Sequence, residues 1–335
     1  MEDDTFPLFR LPFLALCMIM NLYGPHEIIQ LSLCSKRCLR IAKQRLKKRE
    51  KIEACLYSKK PPNVNLNFSD SRCLYQFKIL EAKKLRNQQT HNIRIGDAVV
   101  PSIYEGNYTN TYWKDTISGI EHIVSYIKDL FDVPITEIAL GSENYENEFI
   151  ETMDCLMKIQ ESVPDCILET DGPISDRCLT HLLDNCKITG NLKIYGQPST
   201  QFRHNWNIHL DGLLLQNGLS FTFQNLMNID CQSLELCRSN LTSEDMNQFL
   251  EHWRNGGHSR IRCARIEMNS MNPVIITLGI PTLRQPERLR RNYPFMWNST
   301  MRIFGGLDIK RNDGKIGTIN LQDNSFGFGV DPIEG

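Results

Sequence analysis

Residues 233–257 read SLELCRSNLTSEDMNQFLEHWRNGG, and this stretch sets the fold expected for most of the chain. Ser233 to Cys237 is a short strand pattern. Thr242 then stands as an N-cap, with Asp245 three residues on as its capping-box partner. Met246, Phe249, Leu250 and Trp253 recur at helical spacing, and Gly256-Gly257 stops the helix. A short strand followed by an amphipathic helix cannot cover its own apolar face.

The same alternation extends outward in both directions. Upstream, Ile135 to Leu140 reads as a strand before a helix carrying Phe149, Met153 and Leu156 on one face. Cys166 to Glu169 is a strand before a helix with Leu179, Leu182, Leu183 and Cys186 at i, i+3, i+4 and i+7. Strands follow at Leu192 to Tyr195 and around Ile208 to Leu215, and Cys263 to Glu267 closes the series. The strand-to-strand spacing of about 25 to 30 residues is that of strand-plus-helix solenoids, with strands parallel and helices outside. The pattern is leucine-rich-repeat-like, although Asn240 alone stands where the repeat's asparagine ladder would run.

Antiparallel β segments are expected on both sides of this core. Leu66 to Ile79 and His91 to Val100 alternate apolar and polar residues around the Gly96-Asp97 and Gly106-Asn107 turns, with Lys84 to Thr90 a polar loop. Ser118 to Phe131 reads as a helix with Ile120, Ile123, Val124, Ile127 and Leu130 on its apolar face. Near the C-terminus, Met301 to Ile309 and Ile316 to Leu321 flank Asn312-Asp313-Gly314 as a hairpin, since Asp-Gly accepts positive φ. Pro273 to Pro294, with its prolines and arginines, reads as a long surface loop.

The N-terminal stretch differs in kind. Leu11-Pro12 opens an apolar run to Leu22, Gly24-Pro25 breaks it, His26 to Cys34 is a second short helix, and Ser35 caps a third that turns basic. Three helices this short bury little surface by themselves, so apolar residues left over should form a face for another protein. Phe6-Pro7-Leu8, Leu11-Pro12, Ile28-Ile29 and Leu31-Ser32-Leu33-Cys34-Ser35-Lys36-Arg37 resemble an F-box, in the wording of a large nematode group. That resemblance implies docking on a Skp-type adaptor, and through it a cullin and a RING protein of an SCF-type ubiquitin ligase. The residues it singles out as adaptor-binding are Leu11, Pro12, Leu14, Ile19, Leu22, Ile28, Leu31 and Leu33, several of which must instead form the module's own core.

A second resemblance lies in the repeat region. Leu226 to Cys231, Leu234-Glu235-Leu236, Leu241 to Trp253 and Gly256-Gly257 are similar to the type 2 F-box-associated domain of nematode F-box proteins, and Phe304 to Gly314 resembles that domain's terminal motif. In that family the domain follows the F-box and is taken to recruit a protein substrate. The expected fold class is therefore α+β: an N-terminal trihelical F-box (1–50), a linker (51–65) marked by Pro61-Pro62-Asn63, and an F-box-associated domain (66–335). Its repeat-like solenoid core spans about 135–270 and its C-terminal hairpin about 300–322.

Composition limits the alternatives. The chain has 335 residues, 41% hydrophobic and 23% charged, which suits a folded protein. A formal net charge of −1 gives no general pull towards nucleic acid or anionic lipid, and the basic run Lys43 to Lys51 reads as a solvated helix face. The apolar run from Leu11 to Leu22 is too short to span a bilayer, and acidic Glu2, Asp3 and Asp4 precede it where a signal peptide would be basic. Partner expectations therefore exclude nucleic acid and membrane.

The twelve cysteines include no Cys-x-x-Cys. Cys34 with Cys38, and Cys178, His181 and Cys186, fall on helix faces and not in metal knuckles. The cysteines read as reduced, which places the chain in the cytosol or nucleus and leaves the sequons at Asn67, Asn107, Asn240 and Asn298 unused. No cofactor or metal and no catalytic residue is expected: Asn217-Gly218 is a turn without a phosphate loop, and His204 and His209 have no nucleophile signature beside them. A protein-binding scaffold in which the N-terminal helices merely cap the repeats is the rival reading.

Overall fold

The structure is a computed structural model that describes residues 8–20, 22–46, 51–69, 73–85, 88–141, 146–170, 172–297 and 299–331. Phe6-Pro7, residues 47–50 of the basic run Lys43 to Lys51, and the sequon asparagine at 298 lie outside the described residues. The chain forms two compact units: residues 1–136 with 154–160, and residues 137–153 with 161–335.

The first unit begins with three helices, α1 (Phe13–Met20), α2 (Pro25–Ser32) and α3 (Lys36–Leu46). Gly24 takes the N-cap of α2 with Pro25 at its first turn, as the break in the apolar run requires. Ser35 Oγ accepts from Cys38 N at 3.2 Å at the head of α3.

Six strands follow: β1 (Ile52–Tyr57), β2 (Asn63–Phe68), β3 (Cys73–Glu81), β4 (His91–Ile95), β5 (Ala98–Glu105) and β6 (Tyr108–Trp113). They lie in the order β1-β2-β3-β6-β5-β4, antiparallel except where β3 meets β6. The segment 51–65 expected as a linker is thus β1 and the start of β2, with the two prolines in the turn between them. Ala54 and Leu56 of β1 are buried opposite Leu66 and Val64, which accounts for the pairing. Gly96 and Gly106 turn the β4-β5 and β5-β6 hairpins at φ 61° and 63°.

Helix α4 (Thr116–Phe131), capped by Asp115, lies against these strands. A Cβ on Gly119 would stand 2.6 Å from Ile79 Cγ2 and 2.9 Å from Trp113 Cγ, so glycine is what lets the helix approach β3 and β6. Phe77 meets Tyr126 and Phe68 meets Phe131 edge-on.

Next along the chain come β7 (Ile135–Gly141), α5 (Glu146–Ile159), β8 (Asp165–Glu169), α6 (Asp176–Asn185), β9 (Asn191–Ile194), β10 (Gly212–Leu215), α7 (Phe223–Asn228), β11 (Ser233–Ser239), α8 (Ser243–Arg254) and β12 (Cys263–Met268), all but residues 135–136 and 154–159 in the second unit. Strands β7 to β12 pair parallel in chain order, and Leu168, Ile194, Leu215, Leu236 and Ile266 stand in one buried row across β8 to β12. Thr242 and Asp245 form the expected capping box on α8.

The remaining elements are α9 (Pro273–Ile276), β13 (Thr282–Arg284), β14 (Arg290–Pro294), β15 (Thr300–Phe304), β16 (Leu307–Lys310), β17 (Ile316–Gln322) and β18 (Ser325–Val330). Here two expectations are corrected. The C-terminal strands are no separate hairpin: β18 pairs antiparallel with β12, and β17, β16 and β13 continue the same sheet. The expected strand Met301 to Ile309 is two strands, broken by Gly305 and Gly306 at φ 64° and 95°, where a Cβ on Gly306 would stand 2.6 Å from Ile319 O. Only Leu307 to Lys310 joins the hairpin; β15 turns away to pair with β14 as a two-stranded arm. Pro273 to Pro294 is accordingly no plain loop, since it supplies α9, β13 and half of that arm.

Candidate functional site

Two surfaces answer to the residues that the sequence marks. The first is on α1 in the first unit. Leu14, Met18 and Leu22 are 74%, 65% and 85% exposed; the spacing of four puts Leu14 and Met18 along one line of α1, and Leu22 follows just beyond its end. Pro12 is exposed beside them, while Leu11, Ile19 and Leu31 are half-buried. Ile28 and Leu33 are buried and belong to the module's own core with Leu16, Met20 and Ile29. The eight marked residues therefore divide between a surface line and a core. Met18 was not among them, although its position between Leu14 and Leu22 was visible in the sequence.

The opposite sides of these helices are tied down within the first unit. Ser32 Oγ hydrogen-bonds Tyr126 OH, and Arg94 N donates to Leu33 O at 3.3 Å. Lys43 pairs with Asp129 of α4, and Lys36 with Asp97 at 3.3 Å. His26 Nε2 lies 3.2 Å from Leu74 O and 2.8 Å from Cys73 Sγ. Burial places the Tyr126 hydroxyl far above its usual range, so the Ser32 bond joins two neutral groups. Helices α2 and α3 are thus tied to the strands and α4 of the first unit, while on α1 the exposed Leu14 and Met18 lie on a different side from the buried Leu16 and Met20.

The second surface is the helix-free face of the parallel strands in the second unit. Leu192, Leu213, Leu234 and Ala264 are buried on the helix side. The residues that follow them, Lys193, Leu214, Glu235 and Arg265, stand in register on the other side and are not fully buried. The β14-β15 arm lies over part of this face. Cys263 Sγ donates to Pro294 O at 2.9 Å, and Cys263 packs with Tyr293, Met301 and Ile303. Lys193 Nζ sits 3.5 Å from the Trp297 ring centre, and the Arg265 guanidinium 5.6 Å from that of Phe295. The arm is anchored by Arg291, whose guanidinium grips the Asp308 carboxylate with a second bond of 3.0 Å, while Gln285 Nε2 and Thr318 Oγ1 donate to the same carboxylate at 2.6 and 2.9 Å.

The residues weighed for chemistry are not brought together. His204 Nε2 pairs with Asp184 at 2.8 Å, and His209 Nδ1 with Asp230 at 2.6 Å, so each has its own acid. Cys178 Sγ donates weakly to Glu146 O, whereas His181 lies against Asn185. No group of three His, Cys, Asp or Glu is placed to hold a metal among the described residues. Burial raises the thiols of Cys231, to about 12, and Cys263, to about 11, which keeps them protonated and unreactive at neutral pH. Gly218 N donates to Cys237 O at 2.7 Å, so Asn217-Gly218 runs on beside β11, and the turn comes one step later, where Phe221 N donates to Gly218 O at 3.0 Å. Among the described residues no helix is long and apolar enough to cross a membrane.

Comparison with known proteins bears on both surfaces. Residues 8–50 match the F-box domain, and residues 198–266 match the family described as F-box associated. The chain is 23% identical over 339 residues to the uncharacterized protein F59B2.9 of Caenorhabditis elegans, covering 95% of this chain and 76% of the relative. It is 20% identical over 334 residues to the uncharacterized protein F59B2.8 of the same organism, covering 94% and 74%. No solved structure matches it. The α1 line lies inside the first matched segment, and β10, β11 and all but the last two residues of β12 inside the second. The chain carries an F-box domain followed by an F-box-associated domain, and with these relatives it fits a nematode F-box protein.

Proposed function

We propose that this protein is the substrate-recognition adaptor of an SCF-type ubiquitin ligase, acting in the cytoplasm or nucleus. Its F-box docks on a Skp-type adaptor, which links it to a cullin and a RING protein, and its second unit recruits a protein target. The observation that carries the reading is Leu14 and Met18 on α1 with Leu22 just beyond it: three large apolar side chains left in water, while Leu16 and Met20 of the same helix are buried. Leaving such a line exposed is unfavourable by about 25 cal/mol per Å2 of apolar surface, and covering it with a partner recovers that free energy.

The chain itself makes and breaks no bond on this reading. It acts by proximity, raising the effective concentration of target lysines near a charged ubiquitin-conjugating enzyme. The domains found are of adaptor type, which supports a role without chemistry of its own.

The test is co-purification of a Skp-type adaptor with the full chain. Replacing Leu14 and Met18 by glutamate should abolish capture while circular dichroism stays unchanged, and replacing Leu11 and Pro12 by alanine should weaken it. Undiminished capture by the glutamate variant would overturn the assignment of this face.

The rival is a scaffold in which the helices only cap the chain's own fold. The sequence alone points to a cap on the repeats; the Ser32–Tyr126 bond and the two lysine–aspartate pairs tie α2 and α3 instead to α4 and the β4-β5 turn of the first unit, which is where such a cap would sit. A cap would show no adaptor capture by the unaltered chain.

A further inference from the structure

The second unit holds a polar cavity of about 380 Å3 where the strand starts meet the arm. Its floor takes one residue from the head of each strand: Asp165 from β8, Asn191 from β9, then Asp211, Gln232 and Arg262 just before β10, β11 and β12. Its wall is the arm's connecting segment, with Phe295, Met296 and Trp297. A volume at the low end for ligand sites suits one long side chain with its backbone better than a cofactor.

The two carboxylates are held but not saturated. Asp165 Oδ1 accepts from Asn191 N at 2.9 Å and Asn191 Nδ2 at 2.8 Å. Asp211 Oδ1 accepts from Gln232 Nε2 at 2.6 Å and Arg260 Nη2 at 3.1 Å. The second oxygen of each has no hydrogen-bond partner among the described residues. A carboxylate oriented through one oxygen presents the other as an acceptor for a charged donor.

The wall offers complementary chemistry. Trp297 and Phe295 each already have a cationic group over the ring, which shows that they stand among cations in this fold. Trp297 Nε1 is buried without a partner and closed off from solvent, so the residue offers the cavity its ring and not its N–H. Its backbone lies at φ 53°, a costly conformation for a bulky residue, and the anchored arm holds it there.

Two carboxylate oxygens without a hydrogen-bond partner among the described residues, beside aromatic walls, call for a planar cation. We propose that this cavity binds an arginine residue of the recruited target, the guanidinium meeting Asp165 and Asp211. The proposal rests on the target-recruiting role assigned to this domain and specifies what the target must present.

The test uses the full chain and N-acetyl-arginine amide as the probe. The other three tryptophans, Trp113, Trp206 and Trp253, are buried, so Trp297 is the indole whose fluorescence the probe should change. A saturable change is expected with the arginine amide and none with N-acetyl-citrulline amide, which keeps the shape and loses the charge. Calorimetry should show at least tenfold weaker binding to Asp165→Asn/Asp211→Asn. Equal response to citrulline, no saturable response, or unchanged binding by the double variant each overturns the proposal, and the citrulline comparison needs no variant to fold. Adaptor capture measured on the same preparation keeps the outcomes apart: capture without arginine binding removes this proposal alone.

Discussion

Helix α1, apolar all round its short length, and helix α8, apolar along one stripe, meet opposite fates. On α8, Met246, Phe249, Leu250 and Trp253 are all buried, with Phe249 and Trp253 set edge-on against Phe328. On and just beyond α1, Leu14, Met18 and Leu22 stand in solvent. The strands behind α8 use up its stripe, whereas α1 is wrapped only on the side of Leu16 and Met20. An apolar stripe therefore says that a helix has a face to cover, and only the surrounding fold says whether this chain covers it.

The largest effect should come from the covered stripe. Trp253→Ala removes a fully buried indole that also has the Arg311 guanidinium above it, and should cost about 3–5 kcal/mol of stability in denaturant unfolding. A loss under about 1 kcal/mol would mean that α8 is no more tightly packed than α1.

Next comes the anchor of the arm. Asp308→Ala leaves Arg291 without its carboxylate in a largely buried setting, and about 3–4 kcal/mol should be lost. Because the arm walls the arginine cavity, the probe's effect on Trp297 should disappear in the same variant. Retained probe binding would show that the wall stands without its anchor.

The stripe on α8 also has a pH signature. His258 stacks against Phe249 and lies 5.1 Å from the His252 ring. Burial, with His252 nearby adding a smaller push in the same direction, lowers its pKa to about 4, against the opposing pull of the Ile229 backbone and Asp230. A histidine whose folded pKa lies below its unfolded value of about 6.5 binds fewer protons when folded. Its contribution is whole above about pH 6.5 and is lost as the pH falls from there towards 4, by about 3 kcal/mol at most. His258→Asn, which tolerates the φ of 43° found there, should flatten that slope in unfolding curves taken between pH 7 and 4.5. Parallel slopes for the two proteins would remove His258 from the account.

These contrasts mark what the sequence made legible. Strand and helix alternation from Ile135 to Glu267 was readable because each element has its own period, cap or stop, as with Thr242, Asp245 and Gly256-Gly257. β1 was missed because its short alternation, Ala54 and Leu56, is hemmed between a basic run and Pro61-Pro62. The arm was missed because Pro294 and a run of arginines read as loop, although proline is tolerated at the end of a two-stranded ribbon. At the α1 face the residue types were visible and the division was not: Ile28 and Leu33 are buried while Leu14 and Leu22 are free, and contacts far along the chain decide which is which. The cavity depends on five strand heads and one arm, so no single stretch could announce it.

The smallest stability effect should carry the largest functional one. Replacing Leu14, Met18 and Leu22 together by glutamine removes side chains that touch little in the free chain, so stability should stay within about 0.5 kcal/mol or rise slightly. Adaptor capture should nevertheless fall by a hundredfold or more, since three buried anchors at about 1–2 kcal/mol each add to that size. Matching loss of stability and capture would show that the line packs within this chain after all and would make α1 an ordinary core helix like α8. Loss of capture at constant stability is what a helix reserved for a partner must show, because its free energy of burial is realised only when that partner arrives.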